Sequence, residues 1–292
     1  MIPLMHLADE SLIANSMRKN ELMKEFRTIE ISKPRFENDF LRYITVKSKN
    51  LKGRGDICVF VPPGIEEMTD CPLVILLHGV YGSSWSWALS GGVHISVLDL
   101  IKKRLIPPVI IAMPSDGLWG DGSAYLPHNN LDFEKWIVED VPAAVKKCIP
   151  FVTGDSKMFI GGLSMGGFGA LKIGVKYHKT FTAIAVHSSI THVEQMKLFV
   201  EENIENYLQQ DKTEEDILAT ILKYKNHLPA ISFDCGFSDP LLENNRILHQ
   251  QLLQNNIRHD YEEYEGGHEW TYWQEHVIDS MLFFSRFLSR QP

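Results

Sequence analysis

Gly162-Leu163-Ser164-Met165-Gly166 sets one hydroxyl between two residues without side chains, and what surrounds it decides whether that hydroxyl can do chemistry. An apolar piece, Met158 to Gly161, leads in, and a segment with helical spacing leads out. The spacing predicts a strand, a sharp turn and a helix, with Ser164 at the turn. A G-x-S-x-G at such a junction is a nucleophile elbow, in which small flanking residues allow a turn tight enough to hold a serine clear of the sheet. The five-residue pattern is weak alone, so context has to carry it.

A serine hydroxyl is a poor nucleophile at neutral pH without a base in hydrogen-bond reach and a carboxylate to orient that base. In the α/β-hydrolase order these follow the serine as acid and then histidine, each on a loop after a strand. Of the twelve histidines, that restriction leaves few. His249 and His276 fall in helical segments and His259 in a strand, whereas His268 sits on the turn Glu265-Gly266-Gly267-His268-Glu269-Trp270. Asp234 lies within a strand, while Asp239 follows it in Gly236-Phe237-Ser238-Asp239-Pro240. Asp239 is therefore the candidate acid, although Asp before Pro is also a good helix cap. A tetrahedral intermediate needs N–H donors, and Met165 supplies the first. The second is expected from the loop after His78-Gly79, with Val80 as first choice and Tyr81 as second. His78 itself reads as a loop brace.

Residues that could touch substrate are the aromatics of the surrounding loops, Tyr81, Trp85, Trp87, Trp119 and Trp270, which could stack on a sugar or an aryl acyl group or simply pack. Asp116, Asp121 and Glu269 could meet polar substrate or be solvated. No metal and no cofactor is expected, because His268, Glu269 and His276 lack H-E-x-x-H spacing and a third ligand.

These side chains need a sheet to position them. Leu41 to Val46 and Ile57 to Val61 read as an antiparallel pair across a turn at 52–56. Pro72 to Leu77 is apolar throughout, as in a strand covered on both faces. Further strands are expected at Val109 to Met113, Phe181 to Val186, Ala230 to Cys235 and Arg258 to Tyr264. Helices are expected at Val97 to Arg104, Leu131 to Lys147, Ile190 to Tyr224, Leu241 to Leu253 and from Trp270. That alternation predicts an α/β fold: a doubly wound, mostly parallel sheet with helices on both faces and a helical insert after the strand that follows the nucleophile helix. No linker or repeat divides it, so residues 28–292 read as one domain behind an N-terminal arm of residues 1–27, which serves dimer contacts or nothing specific. The stretch 191–227 is long for a connection, and a lid is one reading of it and plain extra helices the other.

Composition narrows the partners. The chain has 292 residues, 44% hydrophobic and 23% charged, with a formal net charge of -8. An acidic chain without a basic stretch argues against nucleic acid and anionic membrane as partners. The N-terminus lacks a signal-peptide pattern and no apolar run approaches the ~20 residues of a membrane span, so a cytoplasmic location is the default. Four scattered cysteines read as reduced.

Taken together, LLHGVYGSSWSW, IPPVIIAMPSDG, GGLSMGGFGAL, CGFSDPLLENNRILHQQL and YEEYEGGHEWTYW resemble the putative-esterase (esterase D-like) family from about Leu41 to the C-terminus. That family takes in S-formylglutathione hydrolases, tributyrin and acetyl esterases, feruloyl esterases and mycolyltransferases. The resemblance implies an α/β-hydrolase fold, acyl-ester substrates and no metal, with Ser164, Asp239 and His268 at the triad positions and Val80 and Met165 at the oxyanion positions. Two places depart from it. Val186-His187-Ser188-Ser189 stands where relatives commonly have Ser-Gly, so His187 either lines the site or is a satisfied loop residue. Phe237-Ser238 replaces a common Thr-Glu or Thr-Asn. The expected function is a serine carboxylesterase acting on small acyl esters of acetyl, tributyrin-like or feruloyl type, carbohydrate-borne ones included. The alternatives are acyl transfer by the same triad and a non-catalytic binding protein on the same fold.

Overall fold

Short segments with no polar position suit strands covered on both faces, and the sheet is built around three of them. The computed structural model describes residues 26–118 and 120–288; the expected N-terminal arm lies outside these apart from its last two residues. β1 (Ile29–Ile31), β2 (Leu41–Lys47) and β3 (Arg54–Phe60) come first. The fully buried β4 (Leu73–Leu77), β5 (Ile110–Pro114) and β6 (Met158–Leu163) follow. Then come β7 (Phe181–His187), β8 (Ala230–Gly236) and β9 (Asp260–Tyr264). Among the described residues these nine form one sheet in the order β1-β2-β3-β5-β4-β6-β7-β8-β9. The first four in that order pair antiparallel, and from β5 to β9 every pairing is parallel.

Side chains alternate across a strand, so each face of the sheet acquires its own core. Leu73, Ile75 and Leu77 of β4 face α2 (Val141–Cys148), α3 (Met165–Lys176), α4 (Ile217–Tyr224) and α5 (Leu242–Gln254). Val74 and Leu76 face α1 (Val93–Lys102) and α6 (Trp270–Ser285), where Val97, Trp273, Val277 and Met281 complete the layer. β4 has β5 on one side and β6 on the other. The winding reverses there, and a crevice opens at the carboxyl ends of β4 and β6, where open α/β sheets bind ligands. The fold is the expected mostly parallel α/β sheet with helices on both faces. Among the described residues no helix is long and apolar enough to cross a membrane.

Two helical expectations need correction. Leu131 to Lys147 begins as a short hairpin, Pro127–His128 with Leu131–Asp132, then passes through a helical turn and a wider π-type turn at Trp136–Asp140 before α2. Pro142 explains the widening, because it has no N–H to continue the ladder, and the Val141 N–H reaches back to the Trp136 carbonyl. Ile190 to Tyr224 is α-helical only in α4; before it stand three 3-10 turns at Val193–Leu198, Ile204–Tyr207 and Lys212–Glu215. His192, Asn203, Asp211 and Asp216 each accept a backbone N–H two or three residues on. Side chains that bond the local backbone start turns repeatedly and so prevent one long helix.

Candidate active site

Ser164 is the pivot between β6 and α3, with φ 54° and ψ -120°. A non-glycine residue at positive φ costs of order 1–3 kcal/mol and persists only where its surroundings impose it. The surroundings here are backbone. A β-carbon at Gly162 would run into the Gly166 carbonyl, and one at Gly166 into the Leu77 and His78 carbonyls. Both flanking positions therefore exclude any side chain. The Ser164 N–H donates to the His187 carbonyl at 3.0 Å, and the Ser164 carbonyl accepts from Phe168 and Ile190 at 3.1 and 3.2 Å.

β8 and β9 deliver the other two groups. Asp239 follows β8 and His268 follows β9, and the Ser238 N–H donates to the Gly266 carbonyl at 2.8 Å, tying the two loops together. His268 Nε2 lies 2.9 Å from Ser164 Oγ, and its Nδ1 lies 2.9 Å from Asp239 Oδ2. The structure thus brings together the three residues expected from the sequence. Leu241 N–H donates to Asp239 Oδ1 at 2.8 Å, and the Ser188 side chain favours the charged form of the same carboxylate. Burial raises the Asp239 pKa, but the hydrogen bond and charge of His268, with Leu241 and Ser188, outweigh it and hold the group below its ordinary value. Two aromatic rings pack against His268, Phe199 stacked at 4.8 Å and Trp273 perpendicular to it at 5.0 Å. An imidazole held between a hydroxyl and a buried carboxylate can take the hydroxyl proton and return it later.

The proposed donors differ in availability. The Tyr81 N–H is already given to the Asp121 carbonyl at 2.8 Å, which removes the second choice. Among the described residues no backbone carbonyl accepts from Val80 or Met165 N–H. His78 is a brace: the Asp116 N–H donates to its Nε2 at 3.0 Å, and its Nδ1 meets the Gly79 carbonyl at 2.7 Å. Asp116 accepts from Leu118 and Ser123, and Asp121 accepts from Glu201 and Glu202, so both buried acids hold loop backbone.

A cavity of about 350 Å³ opens over Ser164 and His268, walled by Val80, Trp85, Phe199, Trp270 and Trp273, with Tyr81 at its mouth. Trp85 and Trp270 therefore stand where expected, Tyr81 is among the lining residues, and Trp119 lies outside the described residues. Trp87 is buried beneath the site, its indole N–H on the Leu77 carbonyl at 3.0 Å.

His187 does not line the cavity. It follows Ala185 on the face of β7 that packs against α6, so its side chain points into the core. Its Nδ1 lies 2.7 Å from Asp234 Oδ2 and its Nε2 lies 2.9 Å from Ser280 Oγ. Three contributors escaped sequence reasoning: Phe199, Trp273 and Ser188. Trp273 had a signal, one helical turn from Trp270 on the same face. Phe199, in a stretch without clear periodicity, had none.

The Putative esterase family model matches residues 48–284. An acetyl esterase from Caldicellulosiruptor saccharolyticus is 28% identical over 229 residues, 72% of this chain and 82% of that protein. Among solved structures, a ferulic acid esterase superposes with TM-score 0.71 at 23% identity, over 89% of this chain and 100% of that one. An S-formylglutathione hydrolase from Agrobacterium tumefaciens gives TM-score 0.72 at 18% identity, over 87% and 98%. At these identities the two structures speak to the fold.

Proposed function

Since the chain belongs to the Putative esterase family and is a carboxylic ester hydrolase, we propose that it cleaves short-chain acyl esters through Ser164, His268 and Asp239. His268 Nε2 takes the Ser164 proton as Oγ attacks the ester carbonyl, and the carbonyl oxygen becomes an oxyanion held by the Val80 and Met165 N–H groups. The Met165 N–H also stands at the amino end of α3, whose dipole favours negative charge. Collapse breaks the carbonyl–alkoxy bond, His268 returns the proton to the departing alcohol, and an acyl-Ser164 ester remains. Water then loses a proton to His268 and attacks that ester; the bond from the acyl carbon to Ser164 Oγ breaks, His268 returns the proton to Oγ and the carboxylic acid leaves, while Asp239 holds the imidazole in one tautomer throughout.

The observation that carries this reading is the unbroken hydrogen-bonded line from Asp239 through His268 to Ser164, at 2.9 Å and 2.9 Å, ending under a cavity. Short acyl groups fit its size: about 350 Å³ is near the lower end of the roughly 300–1,000 Å³ of small-molecule sites. The aromatic walls also suit a flat acyl group.

Hydrolysis of p-nitrophenyl esters from acetate to octanoate, with acetylated xylan and methyl ferulate beside them, tests both parts. Ser164→Ala is expected to lose about 10³-fold or more in kcat, and the wild type to favour the shorter esters. Equal rates for the two proteins would remove Ser164 from the mechanism; a preference for octanoate would remove the short-chain assignment alone.

A further inference from the structure

A second cavity, of about 590 Å³, opens at the amino ends of β8 and β9, the opposite end of the sheet from Ser164. Its size falls within the range of small-molecule sites. Ile231, Ile257 and Phe283 form a buried apolar floor, and Lys225, Arg258 and Arg286 stand exposed at the rim.

The three cations are not equivalent. Arg286 is engaged, with its guanidinium 2.8 Å from Asp260 and over the Phe283 ring at 5.3 Å. His259, also at the cavity, has both ring nitrogens occupied, one by the Ile257 carbonyl and one by His249. Lys225 and Arg258 have no carboxylate partner among the described residues. In a chain with 37 acidic and 29 basic side chains, partners are not in short supply. Two cations left together beside an apolar cavity are complementary to an anion that carries apolar surface.

We propose that this cavity binds an amphipathic carboxylate, its alkyl or aryl body on Ile231, Ile257 and Phe283 and its head group on Lys225 and Arg258. A guanidinium matches a carboxylate with two parallel hydrogen bonds. A single negative charge suits the site better than a dianion, because Asp260 stands at the same rim. The concave shape suits a monomeric acid rather than the flat face of a membrane.

Isothermal titration of the full chain with octanoate, 1-octanol and phosphatidylglycerol vesicles distinguishes the cases. Octanoate is expected to bind at least about tenfold more tightly than octanol. Lys225→Ala/Arg258→Ala is expected to lose at least about tenfold in octanoate affinity with p-nitrophenyl acetate hydrolysis unchanged. Arg258→Gln alone, expected to lose a smaller factor in the same direction, serves if the double variant does not fold. Octanoate bound equally well by the double variant, octanol bound as tightly as octanoate, no octanoate binding at all, or binding to vesicles only would each overturn the assignment.

Discussion

Two Ser-His-Asp lines run through the described residues, and only one of these two meets a cavity. Ser164, His268 and Asp239 end beneath the opening between Trp85 and Phe199, whereas Ser280, His187 and Asp234 have nearly the same spacings but are buried between β7, β8 and α6. Hydrogen-bond geometry alone does not define an active site; a reacting carbonyl must also be able to reach the hydroxyl. Asp239→Asn is therefore expected to lower kcat for p-nitrophenyl acetate by about 10⁴-fold while leaving the fold intact, since the amide no longer fixes the imidazole tautomer. Asp234→Asn leaves the Tyr272 hydroxyl and His187 with a weaker partner, so a loss of about 1–3 kcal/mol of stability is expected with most of the rate retained. If Asp234→Asn proved the more damaging to kcat, the assignment of the acid would be wrong. The sequence separated the two aspartates because a loop after a strand differs from a strand interior. It could not place His187, since chain order brings a residue to the sheet edge without saying which face its side chain takes.

At the scale of elements, the stretch that the sequence renders worst is the one after β7. Its capping side chains break it into short turns, and their bonds are local, so no periodic stripe announces which residues face the site. Tertiary ties take over that role. Asp121 receives the Glu201 and Glu202 N–H groups, and Tyr207 donates to Glu202 at 2.8 Å. Phe199, just before this anchor, is thereby laid against the His268 ring. We propose that it limits the length of acyl chain the cavity accepts. Phe199→Ala removes a ring contact of about 0.5–1.5 kcal/mol, which corresponds to roughly a two- to thirteenfold loss in kcat/KM for the acetate ester. The octanoate-to-acetate ratio of kcat/KM is expected to rise as the wall recedes. An unchanged ratio would show that Phe199 sets no length limit. By contrast, the strands bearing the site were legible, because β4, β5 and β6 are apolar at nearly every position and the glycines of the elbow mark its turn.

At the scale of the whole molecule, alternating strand and helix patterns suffice to read the layered architecture, but not the buried charge that joins its distant parts. Lys172 lies in α3, about two turns after the elbow, and is fully buried. It is paired with Glu134 and, at 3.2 Å, with Glu214, while Lys176 meets both acids at 2.9 Å and Tyr177 donates to Glu134 at 2.8 Å. α3 is thus fastened to the segment before α2 and to the segment before α4, through residues far apart in the chain. Burial would raise the Glu134 pKa, but Lys172 and Lys176 outweigh it by charge and hydrogen bonding and hold it at about 2, against an ordinary value of 4.5. With the native value below the unfolded one, the native state binds fewer protons between them, so Glu134 stabilises the fold fully above the unfolded value and progressively loses that effect as pH falls toward about 2. Glu134→Gln leaves Lys172 buried with a diminished partner set, which costs about 3–5 kcal/mol at neutral pH. Urea unfolding of wild type and variant at neutral pH, near pH 4.5 and near pH 3 reads this directly. The gap in unfolding free energy is expected to narrow between the last two conditions, since carboxylates away from Lys172 and Lys176 titrate equally in both proteins and cancel. A gap that stays constant as the pH falls would mean that the Glu134 carboxylate is not held ionised by the two lysines.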